Sequence, residues 1–192
     1  MPLMNSISEF IRRPIVSTVI VAIYALPLFS LNGAVDMFLK LNGISGESLD
    51  KTHAGEIDVL AWSWGASNSG TTHLGGGGGA GVVNVQDLSL TKYVDKSSPA
   101  LLLRVMNGAH ITDATLVVRK AGTTPVDVIK IVMTEVLVTS ISMGGSGGED
   151  RLTENVSLNF AKVEFTYTYV DSNGKTIAVN PTRWSIAENT TY

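Results

Sequence analysis

Gly144-Gly145-Ser146-Gly147-Gly148 satisfies the pattern G-x-S-x-G, in which a serine on a tight strand-to-helix turn attacks a carbonyl. That chemistry needs a strand entering, a helix leaving, and an acid and then a histidine later in the chain. Here an alternating strand pattern follows the turn, and all three histidines (His53, His73 and His110) lie upstream. Ser146 therefore reads as part of a flexible hairpin linker. A second run, Gly75, Gly76, Gly77, Gly78 and Gly79, has the composition of a phosphate cradle, but no Gly-Lys-Ser/Thr follows and no helix opens after it. It reads as a loop that a partner orders. The histidines are 20 and 37 residues apart, so none forms the i, i+4 pair of a helical metal site. Asp58 sits in an apolar strand pattern without an acid–base partner that sequence can assign. Glu149, Asp150 and Arg151 form a charged turn whose functional meaning would be a contact between subunits. No set of these residues amounts to a catalytic, cofactor or metal site.

Composition points the same way. Charged residues make up 16% of the 192, against roughly 25% in ordinary soluble domains, and 19 residues are glycine. Low charge with abundant Val, Thr and Ile favours strands over helices. A positive mean hydropathy suggests apolar surface covered by another subunit, with the N-terminus contributing to the figure. Net charge of −3 without a Lys/Arg stripe excludes a nucleic-acid binder. The absence of cysteine excludes disulfides and thiolate metal sites and leaves the redox compartment open.

The elements that would position these residues are mostly strands. Alternation or dense apolar runs predict strands at 35–41, 56–66, 82–94, 111–121 and 126–143. In 56–66, Leu60, Trp62 and Trp64 share one parity and Ile57, Val59, Ala61 and Ser63 the other, which suits a strand packed on both sides. One helix is convincing. Ser98 is its expected cap and Pro99 its first residue, with Leu102, Val105, Met106 and Ala109 on the apolar face and Asn107-Gly108 as the stop. A longer strand follows the glycine hinge at 144–148. There Val156, Leu158 and Phe160 alternate with Asn155, Ser157 and Asn159; after Ala161 the apolar set becomes Val163, Phe165, Tyr167 and Tyr169. The flip predicts a bulge, or a strand that changes the layer it faces. Asp171-Ser172-Asn173-Gly174 then turns into a last strand around Trp184. Seven or so strands and one short helix make a mainly β fold, a barrel or sandwich with the helix packed outside.

Residues 1–33 differ from the rest. Arg12-Arg13 precede an uncharged run from Pro14 to Leu31, about 27 Å long as a helix at about 1.5 Å per residue. The run is signal- or anchor-like, although Pro27 would bend it and cleavage after Ala34 would leave Asn32 where a small residue is expected. The alternative is a poorly ordered extension. The chain thus divides into an apolar extension, 1–33, and a β domain, 34–192, with membrane contact conceivable only through residues 14–31.

Several blocks together resemble the Hcp family, the haemolysin-coregulated proteins of the bacterial type VI secretion system. They are AVDMFLKL at 34–41, GESLDKTHAGEIDVLAWSWG at 46–65, HLGGGGGAG at 73–81, VQDLSLTKYVDKSSP at 85–99, VRKAG at 118–122 and GGSGGEDRLTENVSLNFAKV at 144–163. The resemblance implies a two-sheet β-barrel with a lateral α-helix and no catalytic activity. Six copies would close a ring, and rings would stack into a tube. Partners would be other copies, a spike protein, sheath subunits and effectors carried in the lumen. Localisation would be the bacterial cytoplasm and, after secretion, the exterior, with the extension leaving a membrane or Sec route open. On this basis Gly75 to Gly79 and the Glu149, Asp150, Arg151 turn are expected at ring and tube interfaces, and Ser63, between Trp62 and Trp64, on the lumen wall. Family members begin Met-Ala-Val-Asp-Met-Phe, whereas Gly33 precedes Ala34 here, so the extension is a departure. The competing expectation is an exported barrel that binds a small molecule.

Overall fold

The computed structural model describes residues 35–69, 82–122, 124–148 and 150–192. The run at 14–31, the glycines 75–79 and Glu149 lie outside the described residues. The elements are β1 (Val35–Leu41), β2 (Ile57–Ser63), β3 (Ala66–Asn68), β4 (Val83–Val85), β5 (Leu88–Tyr93), α1 (Ser98–Asn107), β6 (Ile111–Lys120), β7 (Val126–Gly144), β8 (Thr153–Val170), β9 (Thr176–Ala178) and β10 (Thr182–Ser185). Strands pair in the order β8-β5-β2-β1-β6-β7, and β7 pairs back onto β8, closing a six-stranded barrel. β9 and β10 add to β8 outside the ring of strands, and β3 with β4 forms a separate two-stranded ribbon.

The barrel interior is filled. Leu39, Ile57, Leu88, Leu116, Ile131, Met133, Val136 and Leu158 are each at most 1% exposed and belong to one apolar cluster. Each contributes about 1.5–3 kcal/mol by leaving water, enough together to specify the fold. Small barrels of this size are filled by side chains, and the inward residues described here form one packed apolar cluster.

The parity flip at Ala161 is a corner shared by two strands. In β8 the inward set changes from Val156, Leu158 and Phe160 to Val163; in β7 it changes from Ile131 and Met133 to Val136 and Val138. Met133 faces Val163 and Val136 faces Phe160, so both strands turn over together. Glu135 takes up the turn with φ of 55°, a conformation costly for a residue with a Cβ. Strands that pass from one sheet of a barrel to the next must rotate in this way. Both halves face the same core, so the flip does not send Val163 to another layer; only Tyr167 and Tyr169 emerge, at 47% and 39% exposure.

Three expected elements differ. The strand predicted at 82–94 is two, because Gln86 N–H donates to the Gly65 carbonyl at 2.9 Å where the chain passes from the ribbon to the barrel. β2 is not packed on both faces: a bulge between Val59 and Ala61 resets its parity, so Trp62 faces inward beside Val59 while Ala61 and Ser63 face out. Ser97 holds the N-cap position without a side-chain capping bond, and the helix buries Leu101 while Met106 is 73% exposed. Ser98 does not cap because its hydroxyl is used elsewhere, as described below. Gly108, at φ of 63°, ends the helix by donating its N–H to the Arg104 carbonyl.

Candidate functional site

The bulge in β2 and a second one in β7, between Val138 and Ser140, have a common consequence. They align outward side chains across four strands. Ser63 of β2 lies opposite Ser89 of β5, Ser89 opposite Ser157 of β8, and Ser157 opposite Ser140 of β7. The adjacent row runs Ala61, Thr91, Asn155, Ser142 by the same pairings. At about 4.8 Å between strands each row is about 14 Å long. These eight positions hold no charge and nothing larger than asparagine. Two contacts link them across the strands, Thr91 Oγ1 donating to Asn155 Oδ1 at 2.7 Å and Ser89 Oγ lying 3.4 Å from Ser157 Oγ. At one rim Asp87 is occupied by Thr139 Oγ1 at 2.6 Å and Asn159 Nδ2 at 2.7 Å. At the other, the Arg151 guanidinium lies 3.7 Å over the Tyr93 ring.

Past the corner the same strands carry a different outward set. Lys162, Glu164 and Thr166 replace Asn155, Ser157 and Asn159, and Arg183 of β10 donates to Glu164 at 2.7 Å. The outer side of β1 and β6 is covered by the loop at residues 46–56. His53 stacks on Phe38 with ring centroids 4.4 Å apart and bonds Glu56 through Nδ1 at 2.8 Å, and Arg119 joins Asp127 at 2.7 Å and Asp50 at 3.2 Å. Backbone N–H groups of His53 and Thr52 donate to the Asp50 carboxylate and hold its pKa below the usual value. So braced, the loop presents Leu49 at 96% exposure.

The floor of the neutral face is locked from inside. Lys92 and Glu154 occupy inward positions of β5 and β8 and are fully buried. Lys92 Nζ donates to Glu154 at 2.5 Å, Asp95 at 2.9 Å and the Tyr93 carbonyl at 2.8 Å, while the Ser98 hydroxyl donates to Glu154 at 2.8 Å. The start of α1 is thereby tied to the two central strands of the face. A groove of about 600 Å³ lies where the barrel strands end, lined by Val126, Val128, Tyr167, Tyr169 and Val170 among others.

Of the residues singled out from sequence, Ser63 is exposed at the end of the serine row. Asp150 and Arg151 are exposed, and Arg151 is engaged with Tyr93 of its own chain. Ser146 lies in a turn that leads into β8, without the helix a nucleophile elbow requires. His53 is buried against Phe38, and Asp58 faces solvent. Ser89, Ser157 and Ser140 were missed, although Ser89 and Ser157 are visibly the polar member of an alternating pair.

The family described as "Type VI secretion system effector, Hcp" matches residues 38–167. The chain belongs to the Hcp family. It is 57% identical over 142 residues to protein hcp1 of Pseudomonas aeruginosa, covering 73% of this chain and 88% of that protein. Among solved structures, a type six secretion system protein superposes with a TM-score of 0.78 at 30% identity, covering 83% of this chain and all of that one. Hcp1 of Salmonella typhimurium superposes with a TM-score of 0.66 at 33% identity over 83% of this chain and 99% of its own. A type VI secretion system effector from Yersinia pestis gives 0.62 at 34% identity, with 78% and 99% covered. This Hcp chain is thus a secreted structural protein of the type VI system, and its mainly β barrel is the fold of its relatives.

Proposed function

We propose that this Hcp chain closes rings of six copies, that rings stack into a tube, and that the serine-row face lines the bore through which effectors pass. The observation that carries this is the sheet face on which two bulges align eight small, uncharged positions from four strands, most of them exposed among the described residues. A transport bore needs a surface that neither hydrophobic patches nor fixed charges make adhesive, and this face has that composition. Ring closure needs two different patches on each copy. Leu49 on its braced loop and the groove of Val126, Tyr167 and Tyr169 are exposed apolar surfaces among the described residues, suited to a neighbouring copy. The 75–79 glycines and the Glu149–Arg151 turn are assigned to ring and tube contacts, and spike, sheath and effectors are the further partners. By composition residues 1–33 are an apolar extension, and any membrane contact is assigned to 14–31 alone.

Negative-stain microscopy of the full chain tests the ring. Uniform rings support it; strict monomers at high concentration overturn it. Replacing Ser63 by tryptophan should preserve rings and impair effector retention, whereas lost rings would make Ser63 a packing residue. Deleting residues 75–79 should shorten tubes without dissolving rings.

A further inference from the structure

Wherever else the described residues take a positive φ, the chain uses glycine or asparagine: Gly43, Gly55, Gly108, Gly148, Gly174 and Asn189. These types enter the left-handed region at least cost, glycine for want of a Cβ and asparagine through local hydrogen bonding. Glu135, at φ of 55° in the corner of β7, is the exception. Its backbone would turn more easily as glycine, so the corner by itself does not call for glutamate. Nor does a contact within the barrel. Glu135 is exposed and makes no hydrogen bond or ion pair with another described residue. The charges beside it are engaged elsewhere. Lys162, opposite the adjoining Thr134 on β8, lies over the Tyr192 ring at 5.5 Å, and Asp113, opposite Thr134 on β6, accepts from Asn42 Nδ2 at 3.1 Å.

The corner is also a boundary of the serine-row face, because β7 and β8 contribute to that face only on one side of it. Within the ring reading, on which this inference rests, the boundary of a bore-facing surface meets another copy, beside it in the ring or stacked on it in the tube. We infer that Glu135 is a contact residue between copies, its carboxylate paired with a lysine or arginine of a neighbouring copy. Backbone strain of this kind persists where the strained residue has a function, and a charge pair between copies supplies one. The side chain is kept for the assembly at a cost to the single chain.

The test separates backbone from charge in the purified full chain, where no other protein can supply the partner. Glu135→Gly eases the turn and removes the carboxylate; Glu135→Gln keeps the turn and removes only the charge. In urea unfolding below the assembly concentration, Glu135→Gly is expected at or above the wild-type midpoint and Glu135→Gln close to it. In sedimentation velocity both are expected to need at least about tenfold more protein for half-assembly. Wild-type assembly should also weaken with NaCl more steeply than that of Glu135→Gln. Assembly at the wild-type concentration by either folded variant overturns the inference. If the glycine variant fails to fold, Glu135→Gln makes the decision alone, since it leaves the backbone as it is. A wild-type chain that forms no assemblies counts instead against the ring reading, so the two failures are distinguishable.

Discussion

At the scale of single residues, the most consequential pair is Lys92 and Glu154, both fully buried and joined at 2.5 Å. Water exclusion makes each ion costly alone and tolerable together. Lys92→Met leaves a carboxylate in the core without its cation and is expected to cost about 3–5 kcal/mol in denaturant unfolding at fixed protein concentration. Lys92→Met with Glu154→Leu should recover most of that loss, because no uncompensated charge remains; a double variant as weak as the single one would place the cost in packing. Asp95 shares the lysine. Burial pushes its pKa up, but hydrogen bonds from Ser97 and Lys92 outweigh this and hold it below the ordinary 3.8. A carboxylate with a depressed folded pKa adds stability that is complete above its unfolded value and lost as pH falls through the folded one. The melting-temperature gap between wild type and Asp95→Asn should therefore be constant near neutrality and close below about pH 3.8. A gap that persists unchanged in acid would show that the charge contributes nothing.

At the scale of elements, the loop at 46–56 depends on backbone closeness at one glycine. Gly46 N–H donates to the Gly55 carbonyl at 2.8 Å and Ser48 N–H to the Glu56 carbonyl at 3.0 Å. A Cβ at Gly46 would collide with the Glu56 carbonyl oxygen and the Ile57 Cα, both backbone atoms at the start of β2. Gly46→Ala is expected to destabilise the chain by about 1–3 kcal/mol and to raise amide exchange across 46–56 more than in the barrel. Uniform exchange throughout would mean that the loop and barrel open as one unit. Elements of this kind were only partly legible in the sequence. Alternation located β1, β6, β7 and β8 well because each buries one parity in the core. The serine row was not legible, because Ser63, Ser89, Ser157 and Ser140 are aligned by pairings and bulges between distant strands. The helix face was legible in part for a related reason: Val105 packs against the core as expected, but the fully buried member is Leu101 and Met106 is exposed, since Ser98 is drawn toward Lys92 and Glu154 and fixes the rotation of α1. The buried pair had a faint signal, a charge on the apolar parity of both β5 and β8.

At the scale of the whole molecule, the barrel core is complete within one chain, so assembly must draw on surface. Leu49 at 96% exposure and Tyr169 at 39% have little to lose in the monomer. Replacing either by aspartate should leave monomer stability within about 0.5 kcal/mol for Leu49, and slightly more for Tyr169, whose ring stacks on Tyr167 at 6.2 Å between centroids. The effect on a ring is different in kind. Burying one leucine side chain contributes about 2 kcal/mol per contact, and a closed ring repeats each contact around its circumference. In a ring of six the loss is multiplied to about 12 kcal/mol per assembly, before the added desolvation of aspartate. A single exposed residue can therefore abolish rings while the fold is untouched. Sedimentation velocity of Leu49→Asp and Tyr169→Asp is expected to show folded monomers at concentrations where wild type is assembled. A variant that still forms rings at the same concentration removes its patch from the contact, and the remaining patch must then carry closure.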